Sequence, residues 1–174
     1  MKKEIQVWDY AGQIMQGIEK GCLLTTKAEG KANTMVIGWG ALCVEWGKPI
    51  FIAYVRESRY TKKLLDKNGE FTVNISLETP DKEIIAVCGT KSGRDMDKFT
   101  QLGLTQVAGE TVSVPAVKEV PLTIECKVIY KQDQDKTAIH PECDARYYAK
   151  GTKNEGDYHT AYYGEITKTY IILE

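Results

Sequence analysis

Glu70-Phe71-Thr72-Val73-Asn74-Ile75 is the stretch on which the fold turns, because Phe71, Val73 and Ile75 point one way and Glu70, Thr72 and Asn74 the other. Strict alternation is the period of a β-strand, whose side chains leave opposite faces in turn. The pattern returns in Leu122, Ile124, Cys126, Val128 and Tyr130, which predicts a second, longer strand. Pro49 to Val55 is a near-continuous apolar run, the signature of a strand buried on both faces. Further strands are expected from Cys22 to Lys27, from about Thr34 to Gly38, and from Tyr162 to Leu173. Ala28-Glu29-Gly30-Lys31 reads as a hairpin connection in which Gly30 supplies a positive φ.

The helical signals are few and short. Asp9 is placed to cap a helix carrying Ile14, Met15 and Ile18 and ending at Gly21. Ser58 is placed to cap a second, from Arg59 to Asn68, with Tyr60, Leu64 and Leu65 on one side and Gly69 as its stop. Thr79-Pro80-Asp81 supplies a cap, a first-turn proline and an acid for a third, which runs through Ile84, Ile85 and Val87 to Gly89. Asp133 to Asp157 is polar and carries only weak signals. The whole predicts a mainly β antiparallel barrel or sandwich with a few short helices, in a single domain over residues 1–174. No strand–helix rhythm and no G-x-G-x-x-G is present, which argues against a Rossmann dinucleotide site.

Composition narrows the function. A net charge of −1 argues against nucleic acid as a partner, since phosphate neutralisation calls for a basic excess. No run approaches the ~20 apolar residues of a membrane-spanning helix, so no membrane association is expected. Met1-Lys2-Lys3-Glu4 leads into Asp9, Gln13 and Gln16 rather than an apolar segment, so no secretory leader is expected. The five cysteines are odd in number and form no C-x-x-C, so they read as reduced, mostly buried thiols in a cytoplasmic protein. His140 and His159 are the only histidines, and only Cys143 lies near either; metal sites draw on three or four ligands, so no metal is expected.

Three segments could carry chemistry. Arg56-Glu57-Ser58-Arg59-Tyr60-Thr61-Lys62-Lys63 follows a buried strand and opens a helix. A helix N-terminus with guanidinium forks and hydroxyls suits a phosphate, though it is also what an ordinary capped helix with a basic face looks like. Asn33-Thr34-Met35-Val36-Ile37-Gly38-Trp39-Gly40 offers close approach at two glycines and an aromatic wall for a planar ligand, or a strand with a buried tryptophan. Gly89-Thr90-Lys91-Ser92-Gly93-Arg94-Asp95-Met96-Asp97-Lys98-Phe99 could cradle an anion on backbone N–H groups, or be a solvated loop.

Taken in chain order, residues 33–40, 56–63, Phe71-Thr72-Val73-Asn74-Ile75, the Ser92 to Phe99 part of the glycine-punctuated loop, and finally Tyr163-Gly164-Glu165-Ile166 resemble the flavin-reductase-like family of FMN-binding split barrels, particularly its flavoredoxin-like branch, over roughly residues 10 to 172. The resemblance implies a Greek-key split β-barrel that forms a homodimer, with non-covalent FMN in a groove near the dimer interface. Asn33, Thr34, Met35 and Trp39 would line the ring system and ribityl chain. Arg56, Ser58 and Thr61 would hold the phosphate, and Ser92, Gly93 and Lys98 would close the site, with the Lys98 cation near the flavin N1–C2 edge. The hydride chemistry would belong to flavin N5, so no protein acid or base is required. NADH or NADPH would serve as electron donor, and a redox protein or small molecule as acceptor. The alternative is a non-catalytic flavin-binding electron carrier that NAD(P)H does not reduce directly. The resemblance assigns no role to His140, His159 or Tyr162.

Overall fold

The computed structural model describes residues 1–173. The chain runs β1 (Lys2–Glu4), α1 (Ala11–Lys20), β2 (Cys22–Ala28), β3 (Lys31–Ile37), β4 (Gly40–Glu45), β5 (Lys48–Arg56), α2 (Tyr60–Asn68), β6 (Glu70–Ile75), α3 (Lys82–Thr90), α4 (Lys98–Leu102), β7 (Gln106–Val107), β8 (Ala116–Val117), β9 (Leu122–Asp133), α5 (Pro141–Tyr147) and β10 (His159–Ile172). The main sheet is antiparallel in the order β3-β2-β6-β9-β10-β5-β4, with β1 added to β10.

That order forces the shape. β3 and β4 are the two ends of the path, yet only Gly38-Trp39 joins them. In a flat sheet the ends would lie roughly 29 Å apart, at about 4.8 Å per strand spacing. The link from residue 37 to residue 40 reaches about 11 Å at most. The sheet therefore curls until its edges nearly meet, which makes the mainly β split barrel expected from the sequence, with its seam at Gly38-Trp39.

Phe71, Val73 and Ile75 fill the barrel with Leu24, Phe51, Ile124 and Cys126, and Ile14 and Ile18 of α1 join the same core. β10 pairs with β5 on one side and β9 on the other, and its register against β9 shifts between Tyr163 and Gly164. A Cβ at Gly164 would lie 2.7 Å from Cys126 Cβ and as close to the Phe71 ring, so only glycine lets the strand bend inward there. A second cluster, with Leu23, Ile84, Cys88, Phe99 and Val120, seats α3 and α4 on the outside of the barrel.

Several local features go beyond or against the sequence reading. Thr72 and Asn74 on the polar face of β6 are buried, because residues 104–120 cover them. Thr72 donates to the Pro115 carbonyl at 2.8 Å, and Asn74 donates to the Val120 carbonyl at 2.9 Å. The covering segment is pinned in turn by buried Glu125, whose carboxylate accepts the Glu110 and Thr111 N–H groups at 2.8 and 2.7 Å and the Tyr170 hydroxyl at 2.8 Å. Asp9 lies in a 3₁₀ turn and Tyr10 takes the cap position of α1. Asp81, not Thr79, caps α3, its carboxylate accepting from the Glu83 and Ile84 N–H groups. Arg59, not Ser58, occupies the cap position of α2, without a side-chain bond to the helix. β4 pairs with β5 through a tight Trp46-Gly47 turn, both residues at positive φ. β10 begins at His159, three residues before the expected Tyr162, and the polar stretch before it holds α5, capped by His140.

Candidate functional site

Two cavities lie side by side at the seam. The first, of about 310 Å³, is lined by Asn33, Met35, Ser58, Arg59, Tyr60, Thr61, Thr90, Lys91, Ser92, Gly93, Arg94 and Lys98. The second, of about 330 Å³, is lined by Met35 to Trp39, Tyr54, Arg56, Arg59, Tyr147, Asn154 and His159. Each is at the small end of the range for a ligand pocket, and Met35 and Arg59 border both, so the two form one bent groove.

The first cavity is basic and rich in hydroxyls. α2 opens onto it, and Thr61 in its first turn is buried and accepts a 2.8 Å bond from the Asn33 amide. Arg59 reaches away from α2 towards α3: Nε donates to Met35 Sδ at 3.2 Å and Nη1 to the Gly89 carbonyl at 3.0 Å. Burial pulls its pKa below the ordinary value, yet a guanidinium stays charged at neutral pH. Arg94 donates to the Ser58 carbonyl at 3.2 Å, and Lys31 to the Gly93 carbonyl at 3.2 Å. A Cβ at Gly93 would collide with Asn33 Oδ1 and lie 2.8 Å from the Tyr60 ring, so the loop can close over Asn33 only with glycine there. Lys98 is buried at the base, its amine donating to the Thr34 carbonyl at 2.8 Å. Among the described residues no carboxylate oxygen lies within 4.0 Å of the side-chain nitrogens of Arg59, Lys91, Arg94 or Lys98.

The second cavity is aromatic. Trp39 meets Tyr147 edge-on at 4.9 Å between ring centroids and His159 at 4.8 Å. Arg56 stands between the Trp39 and Tyr148 rings, 5.6 and 5.4 Å from their centroids, and donates to the Asp157 carbonyl at 2.6 Å. His159 is buried and Nδ1 shares a 2.8 Å hydrogen bond with the Tyr148 hydroxyl. Burial, and then the Arg56 charge, lower its pKa to about 4.

Of the residues singled out from the sequence, Asn33, Met35, Ser58, Thr61, Ser92, Gly93 and Lys98 come together in the basic cavity. Trp39 lies in the aromatic one. Three placements differ from expectation. Arg56 borders the aromatic cavity and is engaged by Asp157, so of the two guanidinium groups in that segment it is Arg59, which the resemblance did not carry over, that joins Ser58 and Thr61. The Thr34 side chain lines neither cavity; it is fully buried and its hydroxyl accepts from Thr25 at 3.0 Å. Lys98 sits with the hydroxyl groups of the basic cavity and not beside Trp39. Ser58 is partly engaged as well, its N–H and hydroxyl donating to the Asp157 carboxylate at 2.9 and 2.7 Å. The sequence reading gave no site role to Tyr54, Tyr147, Asn154 or His159: Tyr54 reads as part of a buried strand, and the other three come from the far end of the chain with no local motif.

Comparison with known proteins decides the lineage. A family model, the flavin reductase like domain, matches residues 19–173. The chain belongs to the flavin reductase-like family. It is 30% identical over 129 residues to the uncharacterized protein YddH of Escherichia coli K12, which covers 70% of this chain and 67% of that one. It is 31% identical over 99 residues to an uncharacterized protein of Archaeoglobus fulgidus, spanning 57% of this chain and little more than half, 55%, of that relative. Among solved structures, flavoredoxin of Desulfovibrio vulgaris (Miyazaki F) superposes with a TM-score of 0.65 at 27% identity, covering 87% of this chain and 68% of that one. Flavoredoxin from Methanosarcina acetivorans gives the same score and identity, covering 87% and 67%.

The lowered pKa of His159 has a measurable consequence. An unfolded histidine takes up a proton near pH 6.5 while the folded one resists until about pH 4. Stability tied to His159 is therefore complete above about pH 6.5 and falls as pH drops towards 4, by up to about 1.4 kcal/mol per unit. NMR of the imidazole nitrogens should show a neutral ring at pH 5. A ring already charged there would show that the burial does not hold in solution.

Proposed function

We propose that the groove binds FMN non-covalently and that the protein is an FMN-dependent oxidoreductase, a flavin reductase or a flavoredoxin-like electron-transfer protein. The observation that carries this is the continuity of a carboxylate-free basic cavity with an aromatic one, through Met35 and Arg59. A ligand with an anionic end and a flat, largely apolar end fits that pairing of chemistries. Arg59, Arg94 and Lys98, with the hydroxyls of Ser58, Thr61 and Ser92, would hold the phosphate. Met35 and Trp39 would border the ring, with Gly38 leaving room for its close approach. The bound flavin would supply the electron chemistry, and the protein would bind it, orient it and keep cations at its anionic end. Family membership and the likeness to two flavoredoxins support the reading.

A homodimer belongs to the same proposal. The outer face of β4, β5 and β10 carries Ala41, Cys43, Tyr54 and Tyr163 around Ile50, Ile52 and Ala161, flanked by exposed Val44 and Trp46. That is an apolar patch of the kind a second copy covers.

Three measurements test these statements. Arg59→Gln should weaken FMN ten- to a hundred-fold, the cost of about 1.5–3 kcal/mol for a lost charge-assisted bond, and leave riboflavin, which has no phosphate, nearly unchanged. Equal weakening of both ligands removes Arg59 from the phosphate site. Anaerobic mixing of the FMN-loaded protein with NADH or NADPH should bleach the flavin band rapidly; full reduction by dithionite with none by either nucleotide selects the electron carrier over the reductase. Light scattering should give twice the chain mass, and a monomer mass with FMN bound removes the dimer.

A further inference from the structure

We propose that Lys98 couples occupancy of the basic cavity to proton uptake, so that a phosphate-bearing ligand binds best to the form in which the Lys98 amine is an ammonium. The inference rests on the proposed phosphate site and adds to it a proton that the ligand must bring in from solvent.

The geometry is that of a buried amine without a counter-ion. Lys98 is 3% exposed, yet among the described residues no carboxylate reaches it within 4.0 Å. Its contacts are two carbonyls, Thr34 at 2.8 Å and Cys88 at 3.4 Å. A neutral amine can still donate to both, so losing the proton costs the fold neither bond. The charged and titratable groups around it do not make good the missing anion. From α3 comes the Cys88 thiol, itself held protonated by burial. From the start of α2 come Arg59, a like charge, and Tyr60. β3 contributes Lys31, another like charge, engaged with the Gly93 carbonyl. The loop brings Lys91 and Arg94, and Asp95 beside them is exposed. Asp97, the residue before Lys98, turns its carboxylate to the Phe99 N–H and the Thr100 hydroxyl at 3.0 and 2.8 Å. Burial accordingly brings the Lys98 pKa down to about 8, with Cys88 opposing the fall and Arg59 adding to it.

A phosphate dianion entering this cavity supplies the missing counter-charge and restores the ammonium. Binding above about pH 8 then takes up a proton, and affinity falls as pH rises further, because the free protein has already lost the proton that the complex needs. The phosphate does not titrate in this window, since its second pKa is about 6.

The experiment is titration of the protein with FMN and with riboflavin, followed by flavin fluorescence from about pH 7 to about pH 9.5, with calorimetry in two buffers of different ionisation enthalpy to count protons. Above about pH 8 FMN affinity should fall by up to about tenfold per pH unit, with up to one proton taken up, while riboflavin, which shares the ring, stays level. Lys98→Arg, charged at every pH used, should bind FMN with a flat profile, and Lys98→Met should be flat and weaker throughout. Wild-type FMN affinity as level as that of riboflavin overturns the coupling. So does a pH-dependent fall that survives in Lys98→Met, which would assign the proton to another group. Failure to bind FMN at any pH overturns the phosphate site and the coupling together, whereas level FMN binding overturns the coupling alone.

Discussion

The structure depends on one constraint: β3 and β4 are consecutive in the chain but terminal in the sheet, so the sheet must curl until two residues can bridge its ends. Curling needs a strand that pairs with both halves, and the 14-residue β10 does this, with β9 on one flank and β5 on the other. It bends at Gly164, where any side chain would meet Phe71 and Cys126. The seam left behind also holds the two cavities. β3 has β2 as its one partner in the sheet, so carbonyls on its free edge look for donors elsewhere. Lys98 donates to one of them, at Thr34. The cavities lie where the ladder is interrupted, and the side chains that cover the open edge are those that line the groove.

This explains how much of the protein could be read from its residues. Alternation in Phe71, Val73 and Ile75 and the long pattern from Leu122 are local facts with local causes, and both became strands. The clustering of residues 33–39, 56–61 and 90–98 followed from the order of motifs across the chain. What stayed hidden were contacts made at long range. Nothing near Thr72 or Asn74 announces that residues 104–120 will lie over them. Nothing near Arg56 announces the Asp157 carbonyl that engages it, which lies 101 residues further on. A polar residue on the outer face of a strand reads as solvated until something covers it, and what covers it is set by topology.

The placement of Arg56 and Arg59 against different cavities has a local cause as well. Had Ser58 capped α2, Arg59 would open the helix. Instead the Ser58 N–H and hydroxyl donate to the Asp157 carboxylate, and the helix begins one residue later, at Tyr60. Arg59 then sits at the cap in extended backbone, its guanidinium directed at Met35 and the end of α3. Asp157 thus acts twice: its carbonyl holds Arg56 against the aromatic cavity, and its carboxylate sets the start of α2.

Charge is segregated in the same way. With a net charge of −1 the chain has acids enough to pair its bases. They are placed elsewhere: Asp66 takes both Lys62 and Lys131 at 2.9 Å, and Glu4 takes Lys168 at 2.6 Å. Near the basic cavity the Asp157 carboxylate binds the backbone and hydroxyl of Ser58, and the Asp97 carboxylate caps α4. Like charges gathered at a partly buried site repel one another and lose hydration, so the arrangement is destabilising taken alone. Three of the cations also donate to backbone carbonyls, which offsets part of that cost: Arg59 to Gly89, Arg94 to Ser58, Lys98 to Thr34. Those carbonyls fix the side chains in place without supplying a counter-charge.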